Sequence, residues 1–267
     1  MDGLGSCSIS MDIKALENIL GVSEAGNDGL KVGSPKSEIT GVAVTWMATR
    51  RIVMDAAQRG LNLLISHQPV FYHPTDDFKD AEADFAFVEK MQELLRNSIL
   101  LYRLHDLCVG HPDFCFSESL AACIGFGEPM HSVQGIATYV VVPDSLHDIA
   151  TIVRQRLEAS EVRILGEQES EISRIATMVA KPSVADLRQC MKLGAKCVIA
   201  AEANELAIGY AADSNLALIL CAEIHLARPG LRKLSEHLRA HLTGIPIELI
   251  EPASSLTIIH QPPTITP

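Results

Sequence analysis

The sequence predicts an α/β fold of two similar halves, with mostly parallel sheets and helices on both faces. Three observations carry this. Short apolar runs alternate along the chain with amphipathic segments of helical period, the pattern of strands joined by crossover helices. The apolar runs lack strict alternation, as strands covered on both faces should. The chain also resembles itself at an offset of about 133 positions. Val32-Gly33 leads into SPKSEITGVAVT, a helical segment and QRGLNLLIS at 58–66; Leu165-Gly166 leads into EQESEISRIATM, a helical segment and KLGAKCVIA at 192–200. Each half thus reads glycine turn, polar loop, strand, helix, glycine, strand. We divide the halves at residues 1–130 and 131–267.

In chain order, ITGVAVT at 39–45 and LNLLIS at 61–66 read as buried strands. Gly60 falls where the intervening helix must end, as Gly194 does in the second half, and both places suit a left-handed residue. Residues 82–97 carry Phe85, Val88, Met91 and Leu95 at helical spacing, and ILLYRL at 99–104 follows as a strand. Ser145 is an N-cap for a helix over 145–158 with Leu146, Ile149, Val153 and Leu157 on one face. Ser183 opens a helix that ends before Gly194, and strands are expected at 196–200 and 216–221. Leu231, Leu234, Leu238 and Leu242 mark a last helix, with Pro229 expected near its first turn. From Ser254 onward the tail reads as frayed or extended.

Composition narrows the function. Hydrophobic residues make up 48% of the 267 and charged residues 21%, values of a chain that buries a core. The formal charge of −11 disfavours coating of nucleic acid or of anionic membrane, and aromatics at 4% argue against a base-stacking platform. No run approaches the roughly 20 apolar residues of a membrane span. The start, MDGLGSCSISMDIK, lacks the features of a secretory signal, so a cytoplasmic location is expected. Seven cysteines without a CxxC pair imply reduced thiols; Cys190, Cys197 and Cys221 read as buried hydrophobes, and Cys7 is given no role. Neither a glycine-rich phosphate loop nor a GxSxG elbow is present.

Ligands collect beyond the carboxyl ends of strands in open α/β sheets. Strand 61–66 runs into His67-Gln68-Pro69 with His73 beyond, strand 99–104 into His105-Asp106, and strand 216–221 into Glu223 and His225. Imidazole and carboxylate at three strand ends are the donors that divalent zinc, iron or manganese take. Glu202 and Glu205 follow strand 196–200, the repeat's counterpart of the His67 turn, where a helix start explains them equally well. Trp46 is expected to line a cleft or pack at an edge. Thr45 and Thr49 suit a cleft or a cap, and Arg50, Arg51 and Arg103 suit a phosphate or the solvent.

The block DGLKVGSPKSEITGVAVTWMATRRIVMDAAQRGLNLLISHQPVFYH at 28–73 resembles the N-terminal segment of the Nif-three-like dinuclear-metal proteins, also called GTP cyclohydrolase 1 type 2 homologues. VRILGEQESEISRIATM at 162–178, KLGAKCVIAAEANE at 192–205 and RPGLRKLSEHL at 228–238 are similar to that family's later segments. The resemblance implies two interlocked α/β domains, a cleft with two divalent metals, a homo-oligomer that is a hexameric ring, and metal-dependent hydrolysis of a small nucleotide-like or phosphorylated substrate. Taken with the strand ends, it points to metal contacts for His67, His105, Asp106, Glu223 and His225, with Gln68, His73 and Glu202 beside them. This chain departs from the family pattern at four positions: Gln68 stands for a second histidine, Val109 for an aspartate four residues after His105, Glu223 for a histidine, where a carboxylate can still bind a metal, and Ala227 for a glutamate. Asp106, His111 and Asp113 lie near enough to Val109 to substitute. One or two ions, or none, are therefore open, and so is a non-catalytic binding or regulatory protein with a degenerate site.

Overall fold

The computed structural model describes residues 11–22, 26–76 and 84–251. The expected tail from Ser254, the first two positions of the 82–97 helix, and Cys7 lie outside them. The strands are β1 (Gly29–Val32), β2 (Val42–Thr45), β3 (Leu63–Ser66), β4 (Leu100–Arg103), β5 (His131–Val133), β6 (Ile136–Ser145), β7 (Arg163–Leu165), β8 (Glu171–Thr177), β9 (Cys197–Ala200), β10 (Ala217–Leu220) and β11 (Ile247–Leu249). The helices are α1 (Ile13–Leu20), α2 (Arg50–Gln58), α3 (Phe85–Arg96), α4 (Phe116–Ile124), α5 (Leu146–Arg156), α6 (Val184–Lys192), α7 (Glu205–Asp213) and α8 (Glu223–His241).

Local chemistry sets the helix ends. Asp12, Thr49, Asp84, Ser145, Ser183 and Asn204 each accept a hydrogen bond from a first-turn backbone amide, and Ser183 with Asp186 closes a reciprocal box. Gly60 and Gly194 have φ of 72° and 88° where α2 and α6 stop, as the sequence predicts.

The first sheet runs β1-β4-β3-β2-β11 and the second β5-β6-β8-β9-β10-β7. Both centres are parallel, β2 to β3 to β4 and β8 to β9 to β10, while the first sheet's β1 edge is antiparallel. The second sheet is mixed, because a Gln134-Gly135 hairpin turns β5 back on β6, which pairs antiparallel with β8, and β7 closes the far edge antiparallel to β10. Strand residues split between two cores. Val42, Val44, Leu63, Ile65 and Tyr102 face one, and Ala43, Leu64 and Leu101 the other, so both faces of the first sheet are covered. The second sheet repeats this, with Cys197 and Ile199 on one side and Val198 and Ala200 on the other. Cys190, Cys197 and Cys221 are buried, as their apolar surroundings imply.

Two expected details differ. In α3 the inward stripe is Phe87, Met91 and Leu94, while Phe85 and Leu95 are 76% and 66% exposed. The register is decided by Lys90, fully buried on the same face, whose ammonium donates to the Val70 carbonyl. The last helix begins at Glu223, so Pro229 lies inside it. The proline removes one backbone donor there, and Gly230 beside it admits α4: a Cβ at Gly230 would sit 2.2 Å from Phe116 Cδ1.

The halves exchange elements. Leu226 at the start of α8 packs in the second half's core, whereas Leu231, Leu234, Leu238 and Leu242 pack beneath the first sheet. β11 then pairs in parallel with β2, Ile247 opposite Val42. No helix among the described residues is long and apolar enough to cross a membrane.

Candidate functional site

The turn after β3 is held by backbone and hydroxyl together. The His67 amide donates to the Thr45 carbonyl at 3.1 Å and the Gln68 amide to the Trp46 carbonyl at 2.8 Å. Ser66 Oγ accepts from the Ala48 amide and donates to the Gln68 carbonyl. This projects the His67 ring inward, 6% exposed, stacked against Trp46, His105 and Phe116 at centroid separations of 4.9, 4.7 and 4.6 Å. His67 Nδ1 lies 3.1 Å from the Leu104 carbonyl. A carbonyl only accepts, so Nδ1 carries the proton and Nε2 keeps its lone pair. Burial above all, with the neighbouring His105, lowers the His67 pKa to about 3. The ring is neutral at physiological pH.

His105 follows β4 in a turn organised by Asp28. One Asp28 oxygen accepts from the amides of His105 and Asp106, the other from Leu107 at 2.9 Å. His105 Nδ1 lies 2.9 Å from Asp106 Oδ1, and Asp106 Oδ2 accepts from the Asn27 amide. The Asn27 amide first, then His105, holds the Asp106 carboxyl below its ordinary pKa. Both carboxylate oxygens are thus engaged, and Asp106 orients the His105 ring from behind.

Glu223 is the first residue of α8. His67, His105 and Glu223 line one cavity of about 140 Å³ with Val109, Phe116 and Ser117, and the second half closes it through Gln134-Gly135 and Met178-Ala180. Burial raises the Glu223 pKa against the opposing pull of Lys181 and His105, and the exposed Glu202 is close enough to raise it further.

The other sequence candidates lie elsewhere. His225 is two residues from Glu223 on the helix; the charges acting on it are Arg228, Glu251 and Glu158, and its Nδ1 is buried without a hydrogen-bond partner among the described residues. His73 is exposed and its Nδ1 meets Thr75. Gln68 is half-buried and does not line the cavity. Thr49 caps α2, Thr45 donates to the Ile250 carbonyl, and Arg50 pairs with Glu89 and Glu93. Arg103 meets neither phosphate nor solvent: it is buried in an ion pair with Asp76 at 3.0 Å.

The donors do not suit a two-ion centre. Val109 presents an apolar wall to the cavity, and Ala227 is fully buried in the core. Among the described residues, the one group of three or more His, Cys, Asp or Glu side chains with ligand atoms within 4.8 Å of one another is His111, Asp113 and His237, outside this cavity. The sequence reading had His111 and Asp113 and missed His237, although His237 and His241 stand four apart on one helix, a spacing that is itself a metal signal.

The family model described as Duf34/NIF3 (NGG1p interacting factor 3) matches residues 9–254. The Staphylococcus aureus protein SA1388 superposes with a TM-score of 0.78 at 18% identity, over 93% of this chain and 99% of that one. A Bacillus cereus protein related to NIF3 gives 0.75 at 14%, over 96% and 99%. Reduced HcgD from Methanocaldococcus jannaschii gives 0.70 at 17%, over 90% and 98%. No curated protein sequence matches the chain.

Proposed function

The chain belongs to the Duf34/NIF3 family, and from that premise we propose that it is a cytoplasmic, divalent-metal-dependent hydrolase of a small nucleotide-like or phosphorylated substrate, working with one ion of the zinc, iron or manganese class. The observation that carries the reading is the His67 ring, buried, neutral and fixed by Leu104 so that Nε2 remains a donor. His67 and His105 would hold the ion, with Asp106 fixing the His105 ring and Glu223 lining the same cavity. A bound ion of this class supplies Lewis acidity and lowers the pKa of water. The chain's own contribution is a small cavity with a mostly apolar lining, and a Glu223 carboxyl that burial makes a better proton acceptor than an exposed one. The cavity's size favours a small molecule over a polymer.

A second reading, an oligomeric binding or regulatory protein with a degenerate site, is favoured by Val109 and Ala227 at positions where the family has ligands. One experiment separates them. Under the first reading, protein from metal-replete growth carries transition metal in the cavity, and His67→Ala carries about one equivalent less than wild type and loses phosphoester hydrolysis while keeping its circular dichroism. Metal-free wild-type protein, or hydrolysis unchanged in His67→Ala, would leave the second. We also propose a hexamer; the exposed Val140 and Val142 of β6 offer apolar surface for it, and a monomer of 28.9 kDa in sedimentation would refute it.

A further inference from the structure

We propose that His111, Asp113 and His237 form a second divalent transition-metal site, separate from the cavity of His67, which clamps α8 to the connection between β4 and α4. Their ligand atoms lie within 4.8 Å of one another. A tetrahedral ion with bonds of roughly 2.0–2.2 Å sets its ligand atoms roughly 3.4 Å apart, so only a small side-chain rotation separates this arrangement from a closed site. The mobile partner is available: Asp113 is 61% exposed, and its Oδ2 is already 3.3 Å from His237 Nδ1. His111 is held in place by stacking on Phe114 at 3.7 Å, and its Nδ1 accepts from the Asp113 amide.

His237 supplies the independent observation. Its side chain is only 9% exposed, yet Nε2 is buried with no hydrogen-bond partner among the described residues. A buried polar atom left unpaired is costly, and a pairing with Asp113 alone does not relieve it. One turn later on α8 stands His241, its ring centroid 4.3 Å from that of His237 and its Nδ1 2.8 Å from the His237 carbonyl, at the i, i+4 spacing of helical zinc ligands. Two imidazoles and a carboxylate, with a third imidazole adjacent, suit zinc or cobalt and not magnesium or calcium.

The place of the cluster gives it a structural role. α8 comes from the second half and the 110–115 connection from the first, and Phe114, Leu234 and Leu238 share one core beneath the site. An ion bound only by the folded form would stabilise this junction by mass action.

Cobalt(II) and zinc titrations of the full chain test this, with His67→Ala silencing the cavity so that the two sites are read apart. In that background we expect one equivalent of Co2+ to bind with a tetrahedral visible spectrum and to raise the melting temperature. Asp113→Ala, an exposed and fold-neutral change, and His111→Ala should each weaken binding by 10-fold or more. Absence of Co2+ binding in His67→Ala protein, or affinity unchanged by both Asp113→Ala and His111→Ala, would overturn the site. Wild-type protein that binds a single equivalent of Co2+, retained in full by His67→Ala, would sink only the hydrolase reading.

Discussion

A histidine whose folded pKa is about 3 carries a signed stability cost. Below the ordinary value near 6.5, an unfolded chain binds a proton at His67 that the folded chain refuses, so folding weakens as pH falls through the window from about 6.5 to about 3. The slope approaches about 1.4 kcal/mol per pH unit. Denaturant unfolding in the presence of chelator should therefore find wild type about 1 kcal/mol less stable at pH 5.5 than at pH 7 on account of this residue, and His67→Gln should lack that increment. An identical pH dependence in the two proteins would rule it out. Asp76 makes a larger contribution. Its Oδ1 accepts from the amides of Val70 and Phe71, and its Oδ2 neutralises the buried Arg103, which also donates to the Pro74 carbonyl. Asp76→Ala leaves a buried guanidinium without its anion, and a loss of roughly 3–5 kcal/mol is expected in equilibrium unfolding. The strand ends made His67, His105 and Glu223 legible in the sequence, because a polar residue after an apolar run needs a reason. Asp106 and His225 were equally visible, but sequence does not tell which way a ring faces, and one turned out to brace His105 and the other to lie away from the cavity.

Elements were easiest to read where a cap and a period agree, as in α5 and α6 with Ser145 and Ser183. In α3 two apolar stripes compete, Phe85-Val88-Met91-Leu95 and Phe87-Met91-Leu94, and the choice rests on a buried lysine whose partner lies 20 residues away. In α8, proline and glycine side by side suggest a helix start; the structure uses them mid-helix because the backbone there must let α4 close in. This makes Gly230 the most tightly packed glycine among the described residues. Alanine there should gain about 1 kcal/mol in helix propensity, but its methyl would overlap the Phe116 ring, which is 4% exposed and cannot retreat. We expect Gly230→Ala to cost roughly 1–3 kcal/mol net. It should also disturb His67, on which Phe116 stacks at 4.6 Å, visible as a shifted His67 imidazole resonance. A stable variant with that resonance unmoved would show that α4 and α8 have more room than the geometry allows.

At the scale of the molecule, the internal repeat makes the two halves legible and hides their dependence on each other. β11 is three residues long and pairs with a strand some 200 positions earlier, so no local pattern announces it. Yet the first sheet needs it and needs α8. Leu231, Leu234, Leu238, Leu242 and Ile247 are each nearly fully buried in the core formed with Val42, Val44, Leu63 and Ile65. At about 1.5–3 kcal/mol per buried aliphatic side chain, these five supply on the order of 10 kcal/mol, comparable with the whole stability of a domain. The segment 1–130 should therefore not fold alone, although it holds four of the first sheet's five strands. Expressed separately, it should lack near-ultraviolet circular dichroism and a cooperative melt. Mixing with the segment 131–267, which carries α8 and β11, should restore both signals, since the missing core residues arrive on one continuous stretch. The full chain should melt in a single transition for the same reason. A cooperative melt of the 1–130 segment alone would mean that α8 and β11 only decorate the first sheet, and two separated transitions in the full chain would mean that the exchange of elements does not couple the halves.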